Sequence, residues 1–343
     1  MTVGVYVLVY NGESTIKQSI ESIVNQDIKY DRLVIIDDGS TDKTLDILKM
    51  LSTMYKMTII EHESNKGFSS TNSEIFKIAD EDYFCIYHAD DLYRENILGL
   101  SVNYLENNSS ASAVFSTSDS NSIYLPEKYK IKDWSTRTYT KTEIFKDIMR
   151  FYNFILCPSG CFRRKTIQDN NIRFGNKKIR HLLRQGNSCE DLVTWFEIMC
   201  YGNIGIIPTP LMTWSSHQNQ MSKKVKKNNL YVSDFVTVID YYLSTNYTAV
   251  NKHDLIYFDF IKFRELTIAS INNYTNKKDD VSIKLLHEAR KKFSFKYFFT
   301  KNDTFLYKRY FKWLCMFFLM HILYLFKQRY IVNKIKKILL PDY

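Results

Sequence analysis

The sequence predicts an α/β fold in which a mostly parallel, Rossmann-like sheet is flanked by helices and followed by a helical C-terminal region. In the N-terminal part, short apolar runs alternate with segments of helical periodicity. Such an alternation indicates parallel strands joined by helices. The 343 residues are 45% hydrophobic and 24% charged, a composition typical of one large globular core with an appendage.

The first strand is predicted at residues 3–9, a continuous apolar run rich in valine. Such runs are typical of parallel strands that are buried on both faces. The Asn11-Gly12 pair ends the run, and Ser14 or Thr15 can cap the helix that follows. The apolar positions of this helix recur at helical spacing, at Ile16, Ile20, Ile23 and Val24.

The same unit repeats along the chain. A second strand is predicted at residues 32–36, and a helix with Leu45, Leu48 and Leu51 on one face follows it. The remaining elements are a third strand at 57–61, a helix at 72–79 and a fourth strand at 83–87. The pattern therefore predicts four strands with helical connections.

Acidic turns follow the second and the fourth of these strands, at residues 37–40 and 89–91. Ligands of parallel sheets bind at the carboxyl ends of the strands, so the two turns are expected on one edge. The adjacent carboxylates of Asp90 and Asp91 suit Mg²⁺ or Mn²⁺ holding a diphosphate. A helix N-cap uses the same residue types and is the alternative interpretation.

At this point the sequence resembles glycosyltransferase family 2, the sugar-nucleotide-dependent enzymes with the GT-A fold. Six segments carry the resemblance in order, over roughly residues 1–222: VLVYNGESTIKQSIESIVNQ, LVIIDDGSTDKT, NKGFSSTN, YHADDLY, CPSGCFRRKTI and SCEDLVTWFEIMCYGNIGIIPTPLMTWSSHQNQMS. The resemblance implies a catalytic domain at 1–225, with a nucleotide-sugar half at 1–110 and an acceptor half at 111–225. Residues 226–343 then form a helical, basic and aromatic C-terminal region.

The resemblance also implies roles in binding the donor. Asp38 would hydrogen-bond the nucleotide base, unless it and Asp37 only cap the helix expected at 42–51. Asp90 would face the ribose or the metal, and Asp91 would coordinate the metal. The other residues expected on the nucleotide are Leu8, Val9, Tyr10, Asn11, Lys66 and Gly67.

Two positions depart from the family pattern and remove positive charge from the phosphate region. Thr71 precedes Asn72 in the third motif, where many members carry Arg, and Ser215 stands where another Arg is common. Lys66 or Arg94 could replace the first of these cations.

On the acceptor side, the resemblance implies that Asp191 is the general base that deprotonates the attacking hydroxyl. Glu190 would assist it or contact the acceptor. The alternative is that both carboxylates only favour the N-terminal dipole of the helix they open. His217 is expected as a third metal ligand, in competition with a structural role, and His88 is interpreted as a packing residue. Arg163 and Arg164 are interpreted as surface charges.

The C-terminal region carries the net positive charge of the chain. From Lys277 onward there are 16 Lys and Arg against 5 Asp and Glu, whereas the preceding part is nearly neutral. Helices are predicted at 230–243 and 256–271. The apolar segment 313–326 is too short to span a bilayer. The basic amphipathic segment 331–339 favours contact with an anionic membrane surface, with a helical hairpin or a partner-binding surface as alternatives.

The resemblance implies an inverting, metal-dependent hexosyl- or N-acetylhexosaminyltransferase, using Mn²⁺ or Mg²⁺ and a nucleotide sugar that is most often a UDP-sugar in this family. Its acceptor would be a hydroxyl of a glycan or glycolipid, at the cytoplasmic face of the plasma membrane. The six cysteines lack metal-site or disulfide-scaffold spacing, and the N-terminus lacks the basic region of a signal peptide. No nucleic-acid recognition motif is present. The competing interpretations are a nucleotidyltransferase and an inactive membrane-attached binding module.

Overall fold

A computed structural model describes residues 1–119, 136–175, 179, 181–183, 189–215, 233–292, 313–319 and 332. The chain forms two compact units. The first unit comprises Met1–Lys178 and Glu190–Ser216, and the second comprises Ile179–Cys189 and His217–Tyr343. All elements described below as part of the sheet belong to the first unit.

The first unit is built on a sheet of nine described strands in the order β3-β2-β1-β4-β8-β6-β9-β5, with β7 also paired to β9. The four strands β3, β2, β1 and β4 are parallel to one another. Beyond β4 the sheet is mixed, since β8 is antiparallel to β4 and β6, whereas β6 and β9 are parallel. The strands are β1 (Val3–Val9), β2 (Arg32–Asp37), β3 (Thr58–Glu61), β4 (Tyr83–His88), β5 (Leu92–Tyr93), β6 (Ala111–Ser118), β7 (Arg137–Tyr139), β8 (Gly160–Arg163) and β9 (Asn203–Thr213).

Seven described helices accompany the sheet. They are α1 (Ile16–Val24), α2 (Thr44–Met54), α3 (Phe68–Ile78), α4 (Ile97–Asn107), α5 (Lys141–Phe151), α6 (Arg164–Asp169) and α7 (Glu190–Ile198). The bounds of β1 and the starts of β2 and β4 agree with the sequence prediction. The helix predicted at 72–79 begins earlier, at Phe68, because Gly67 takes a positive φ of 90° and starts the helix directly after its turn.

The interpretation of Asp37 and Asp38 as caps of α2 is wrong. Lys43 precedes the first helical residue, and Asp42 instead accepts the amide of Thr44 at 3.0 Å. Both carboxylates of the earlier pair are buried and bind other groups. Helix capping therefore does not explain the two aspartates after β2.

Each face of the sheet is covered by a different set of side chains. One face carries aliphatic residues of β1, β2 and β4 that pack with helices α1, α2 and α4. Another cluster is aromatic, with successive ring contacts of 4.7–6.2 Å, and includes Phe76, Phe84, Phe115, Phe162, Phe174 and Trp195. Burial of these rings removes a large apolar area from water and makes the sheet a rigid support for its edge.

The described part of the second unit is helical, as predicted. It contains α8 (Asp234–Ser244), α9 (Lys252–Thr275) and α10 (Asp279–Lys292). Asn251 and Asp254 form a capping box at the start of α9. The hydroxyls of Ser270 and Ser282, 3.0 Å apart, join α9 to α10. Among the described residues, no helix is long and apolar enough to cross a membrane.

Two predictions for the C-terminal region concern segments that are largely outside the described residues. These are the apolar segment 313–326, of which only 313–319 is described as a helix, and the amphipathic segment 331–339.

Candidate functional site

The carboxyl ends of β2, β1 and β4 lie side by side, with β1 between the other two strands. Leu8 of β1 is in register with Ile36 on one side and with His88 on the other. The turns at 37–40 and 89–91 therefore flank the end of β1, as the parallel arrangement predicts.

Side-chain hydrogen bonds join the turn after β1 to the turn after β2. Asn11 has a positive φ of 52°, and its side-chain oxygen accepts the amide of Thr41 at 2.8 Å. Its own amide donates to Ser40 Oγ at 2.9 Å, and the Gly12 amide donates to Thr44 Oγ1 at 2.8 Å. These bonds fix the rim on which a nucleotide is expected.

The four residues predicted to line the base and ribose pocket differ in exposure. Tyr10 is 47% exposed and Asn11 is also exposed, whereas Leu8 is half-buried and Val9 is buried. An exposed ring at the end of a central strand is available for stacking on a planar base. Of the four, Tyr10 and Asn11 have the side chains most accessible to a ligand.

Asp38 holds the loop that leads into α3. It is 1% exposed, and its Oδ1 accepts the Lys66 amide at 2.9 Å and lies 2.8 Å from His62 Nδ1. Its Oδ2 accepts the Gly67 amide at 2.9 Å. The chain itself thus binds both oxygens, and a contact of Asp38 with the base stays a prediction.

Thr71, which stands where many family members carry Arg, and the two possible replacement cations, Lys66 and Arg94, have the following surroundings. Thr71 is buried, and its hydroxyl donates to the carbonyl of Gly67 at 3.3 Å. The Lys66 ammonium lies 3.4 Å from Glu74 at the rim. Arg94 is mostly exposed and lies 3.9 Å from Asp119.

Asp91 is the most deeply buried carboxylate of the acidic pair, with 0% exposure. The antiparallel pairing of β5 with β9 brings Ser215 to this turn, and the Ser215 amide donates to Asp91 Oδ1 at 2.9 Å. Asp91 Oδ2 is buried and has no hydrogen-bond partner within the part of the chain that is described. Burial, with the neighbouring charge of Asp90, raises the pKa of Asp91 to about 8.

Three side chains converge at this turn. Ligand atoms of His88, Asp90 and Asp91 all lie within 4.8 Å of one another. A buried carboxylate oxygen without a donor is costly unless a cation compensates it, so this donor set fits a divalent metal ion. His88 also packs against the Phe68 ring, with centroids 5.4 Å apart, so its interpretation as a packing residue stays a prediction beside its place in this cluster.

Asp191 lies at the first turn of α7 and is half-buried. Its Oδ1 accepts the Leu192 amide at 2.7 Å, and its Oδ2 accepts from Asn153 Nδ2 at 3.1 Å. The side-chain oxygen of Asn153 in turn accepts the Ile155 amide at 3.1 Å. Burial raises the pKa of Asp191 to about 6, against the lowering effect of these hydrogen bonds. Asn153 is a site residue that sequence reasoning missed, since nothing in its local pattern signals a contact with residue 191.

The Cys157 thiol is buried and is affected by the charges of both carboxylates. Burial first, and then the charges of Asp191 and Asp91, raise the pKa of this thiol. Both charges must lie near the thiol to act on it, because Coulomb interactions fall with distance. The predicted metal ligand and the predicted base therefore both act on the same thiol.

Two further predicted residues remain predictions. Glu190 is 2% exposed, and its carboxyl carbon would lie 3.0 Å from a Cβ placed on Gly175. Its side chain thus packs against the Gly175 backbone, and its contact with an acceptor is untested. His217 lies outside the described residues.

A sequence model of the family described as Glycosyl transferase family 2 matches residues 5–169. This region belongs to glycosyltransferase family 2. It contains the β1, β2 and β4 turns, the His88-Asp90-Asp91 cluster and Cys157. The family assignment implied by the six sequence segments is confirmed.

Relatives of known sequence extend the similarity beyond this region. An uncharacterized glycosyltransferase of Haemophilus influenzae is 28% identical over 244 residues, which are 66% of this chain and 73% of the relative. The Escherichia coli protein WfaP, described as a UDP-Glc:alpha-D-GlcNAc-diphosphoundecaprenol beta-1,3-glucosyltransferase, is 22% identical over 75% of this chain and 97% of its own length.

Solved structures share the fold. The S. aureus TarS fragment 1–349 in complex with UDP-GlcNAc superposes with a TM-score of 0.56 at 15% identity, covering 86% of this chain and 93% of that one. The mannosyltransferase PcManGT from Pyrobaculum calidifontis, in complex with GDP-Man and Mn²⁺, has a TM-score of 0.54 at 15% identity and covers 95% and 87%. The predicted GT-A fold is confirmed by these similarities.

Proposed function

We propose that this protein is an inverting glycosyltransferase that moves a sugar from a nucleoside diphosphate sugar to a hydroxyl of a glycan or lipid-linked glycan in cell-surface polysaccharide synthesis. The observation that carries the proposal is the cluster of His88, Asp90 and Asp91 at the end of β4, with ligand atoms within 4.8 Å of one another and Asp91 Oδ2 buried without a hydrogen-bond partner among the described residues. Family membership supports the reaction class, and the carboxylates of Asp91 and Asp191 have different surroundings that suit different tasks.

The donor would bind along the edge formed by the β2, β1 and β4 turns. Tyr10 is the exposed ring at the centre of that edge, and Asn11 is tied to the neighbouring turn by its side chain. In this arrangement Asp38 acts on the donor by fixing the amides of Lys66 and Gly67. We expect a UDP-sugar, carrying a hexose or an N-acetylhexosamine, because TarS binds UDP-GlcNAc and WfaP is described as using UDP-Glc.

The donor diphosphate carries negative charge that must be neutralised as it leaves. A divalent ion, Mn²⁺ or Mg²⁺, would supply that neutralisation by binding diphosphate oxygens. Asp91 would hold the ion through Oδ2, with Asp90 serving the ion or the ribose and His217 completing the site. The crystal structure of PcManGT with Mn²⁺ supports a metal in this fold.

Asp191 would act as the general base. Its carboxylate takes the proton of the acceptor hydroxyl while the hydroxyl oxygen attacks the anomeric carbon. The bond from that carbon to the diphosphate breaks as the new glycosidic bond forms on the opposite face, so the configuration inverts. A pKa of about 6 leaves Asp191 ionised at neutral pH while keeping it more basic than an ordinary aspartate. Asn153 and the Leu192 amide orient its two oxygens.

The acceptor and the location are proposed on two grounds. WfaP is described as acting on an undecaprenol-linked sugar, which is a membrane lipid substrate. The excess of positive charge after Lys277 favours contact with anionic lipid. We therefore propose that the protein works at the inner face of the plasma membrane as a peripheral enzyme.

The test uses purified full-length protein with UDP-glucose, UDP-GlcNAc and GDP-mannose, each with and without Mn²⁺. A true donor should raise the melting temperature when Mn²⁺ is present, and slow release of nucleoside diphosphate should accompany it. Asp91→Asn and Asp191→Asn should abolish the release, whereas Asp46→Asn on the exposed face of α2 should not. Unchanged rates in the first two variants would contradict the assignment, and a donor that binds without turnover would indicate an inactive binding module.

A further inference from the structure

The metal cluster contains a nitrogen donor as well as carboxylates. His88 ends β4, directly before the turn that carries the acidic pair, and its ligand atom lies within 4.8 Å of those of Asp90 and Asp91. Its imidazole is therefore close enough to the two carboxylates to bind the same ion.

The backbone of His88 is held firmly in place. Its amide donates to the Tyr93 hydroxyl at 2.7 Å, and its carbonyl accepts from Ser19 Oγ at 3.1 Å. Tyr93 also stacks on Tyr87 with ring centroids 4.1 Å apart, so the group that binds the amide is itself fixed. The end of β4 thus has little freedom to turn the imidazole away.

The side chain of His88 is also constrained. The Phe68 ring meets the imidazole edge to face, with centroids 5.4 Å apart. Its Nε2 is buried and has no hydrogen-bond partner in the described parts of the chain. A buried imidazole nitrogen without a partner costs free energy, and so does the unpaired Oδ2 of Asp91 nearby. One cation between the two would satisfy both groups.

We propose that His88 is a nitrogen ligand of the metal ion and makes the site prefer Mn²⁺ and Co²⁺ over Mg²⁺. The inference rests on the proposed metal role of Asp91. Mg²⁺ binds oxygen donors almost exclusively, whereas imidazole favours transition metals in the order Mn²⁺, Co²⁺, Ni²⁺. A site of two carboxylates and one imidazole therefore selects by donor type as well as by charge.

Metal affinities of the full-length protein test the preference. Mn²⁺ binding is measured from the loss of the free-ion electron paramagnetic resonance signal, and Mg²⁺ binding by competition against it. His88→Asp, which replaces this imidazole by an oxygen donor, should lower the ratio of Mn²⁺ to Mg²⁺ affinity by about tenfold or more. His287→Asn, at an exposed position of α10, should leave the ratio unchanged. His88→Asn serves as a second variant if the aspartate disturbs folding.

A spectroscopic measurement identifies the ligand without altering it. Electron spin-echo modulation of bound Mn²⁺ reports a directly coordinated imidazole nitrogen. In His217→Ala the nitrogen signal should persist, and in His217→Ala with His88→Asp it should disappear. Absence of the signal in His217→Ala, or an unchanged affinity ratio in folded His88→Asp, would overturn the role of His88 while leaving the metal role of Asp91 intact. Failure of the wild-type protein to bind Mn²⁺ at all would overturn both.

Discussion

The backbone amide of Ser215 donates a hydrogen bond of 2.9 Å to Asp91 Oδ1, joining two segments that are 124 residues apart in sequence. This bond connects the end of β9 to the turn after β4. It occupies one carboxylate oxygen and leaves Oδ2 for a cation.

Replacing Asp91 should have opposite effects on the stability of the metal-free protein and on metal binding. The pKa of Asp91 is higher in the folded chain than in the unfolded chain. The free energy of unfolding therefore falls as the pH rises from about 4 to about 8 and Asp91 loses its proton. Asp91→Asn should therefore raise the free energy of unfolding of the metal-free protein at pH 8, by ~1–3 kcal/mol. Urea denaturation in the presence of a chelator measures it. The same variant should lose the stabilisation by Mn²⁺, and a less stable metal-free variant would contradict this account.

Replacing Asp191 should affect catalysis more than donor binding. Asp191→Asn keeps the size and one hydrogen-bonding oxygen but cannot accept the acceptor proton. We expect kcat to fall by ~10²–10⁴-fold with little change in the KM for the donor. Steady-state kinetics with saturating acceptor measure both constants, with Asp46→Asn as the control. A loss confined to the KM would assign Asp191 to binding.

The pH dependence of the reaction should follow the ionisation of Asp191. The base must be unprotonated, so kcat/KM should rise with pH through about 6. Asn153 donates to the ionised carboxylate and thereby lowers the pKa of Asp191. Asn153→Ala should therefore move the rising limb of the profile to higher pH. A purely structural role of Asn153 would lower the rate at every pH without moving the limb.

Asp38 should be required to hold the loop before α3 in its folded conformation. Its carboxylate accepts the amides of Lys66 and Gly67 and contacts His62. Asp38→Asn removes one acceptor in a buried position, so we expect a loss of ~1–3 kcal/mol in the free energy of unfolding. Donor binding, measured by calorimetry at a temperature where the variant is folded, should also weaken. Wild-type stability in this variant would contradict the loop-fixing role.

Much of the parallel part of the sheet, strands β1 to β4, could be predicted from sequence, because the patterns that indicate these strands are local. The apolar run of β1 and the acidic turns after β2 and β4 follow from composition and periodicity. The start of α3 could not be predicted, since it depends on Gly67 being held by a carboxylate far away in sequence.

The interpretation of Arg163 as a surface charge is wrong. Its guanidinium donates to the Tyr83 hydroxyl and to the carbonyls of Ala111 and Leu105.

In the candidate site, too, some features could be predicted from local sequence and others depend on long-range contacts. The residue types of the acidic pair point to a metal, and family motifs point to Asp191 as the base. The contact of Asn153 with Asp191 depends on which loops meet, which no local pattern encodes. Long-range contacts such as the Asn153–Asp191 bond had to come from the structure.

A crystal structure of the full-length protein with UDP and Mn²⁺, with the ion located by its anomalous scattering, tests the central claim most directly. The account predicts a Mn²⁺ ion within ~2.5 Å of Asp91 Oδ2 that also binds the diphosphate. It predicts the Asp191 carboxylate across the site, with no protein group between it and the sugar position. A nucleotide bound at this edge with its diphosphate and metal away from Asp91 would contradict it.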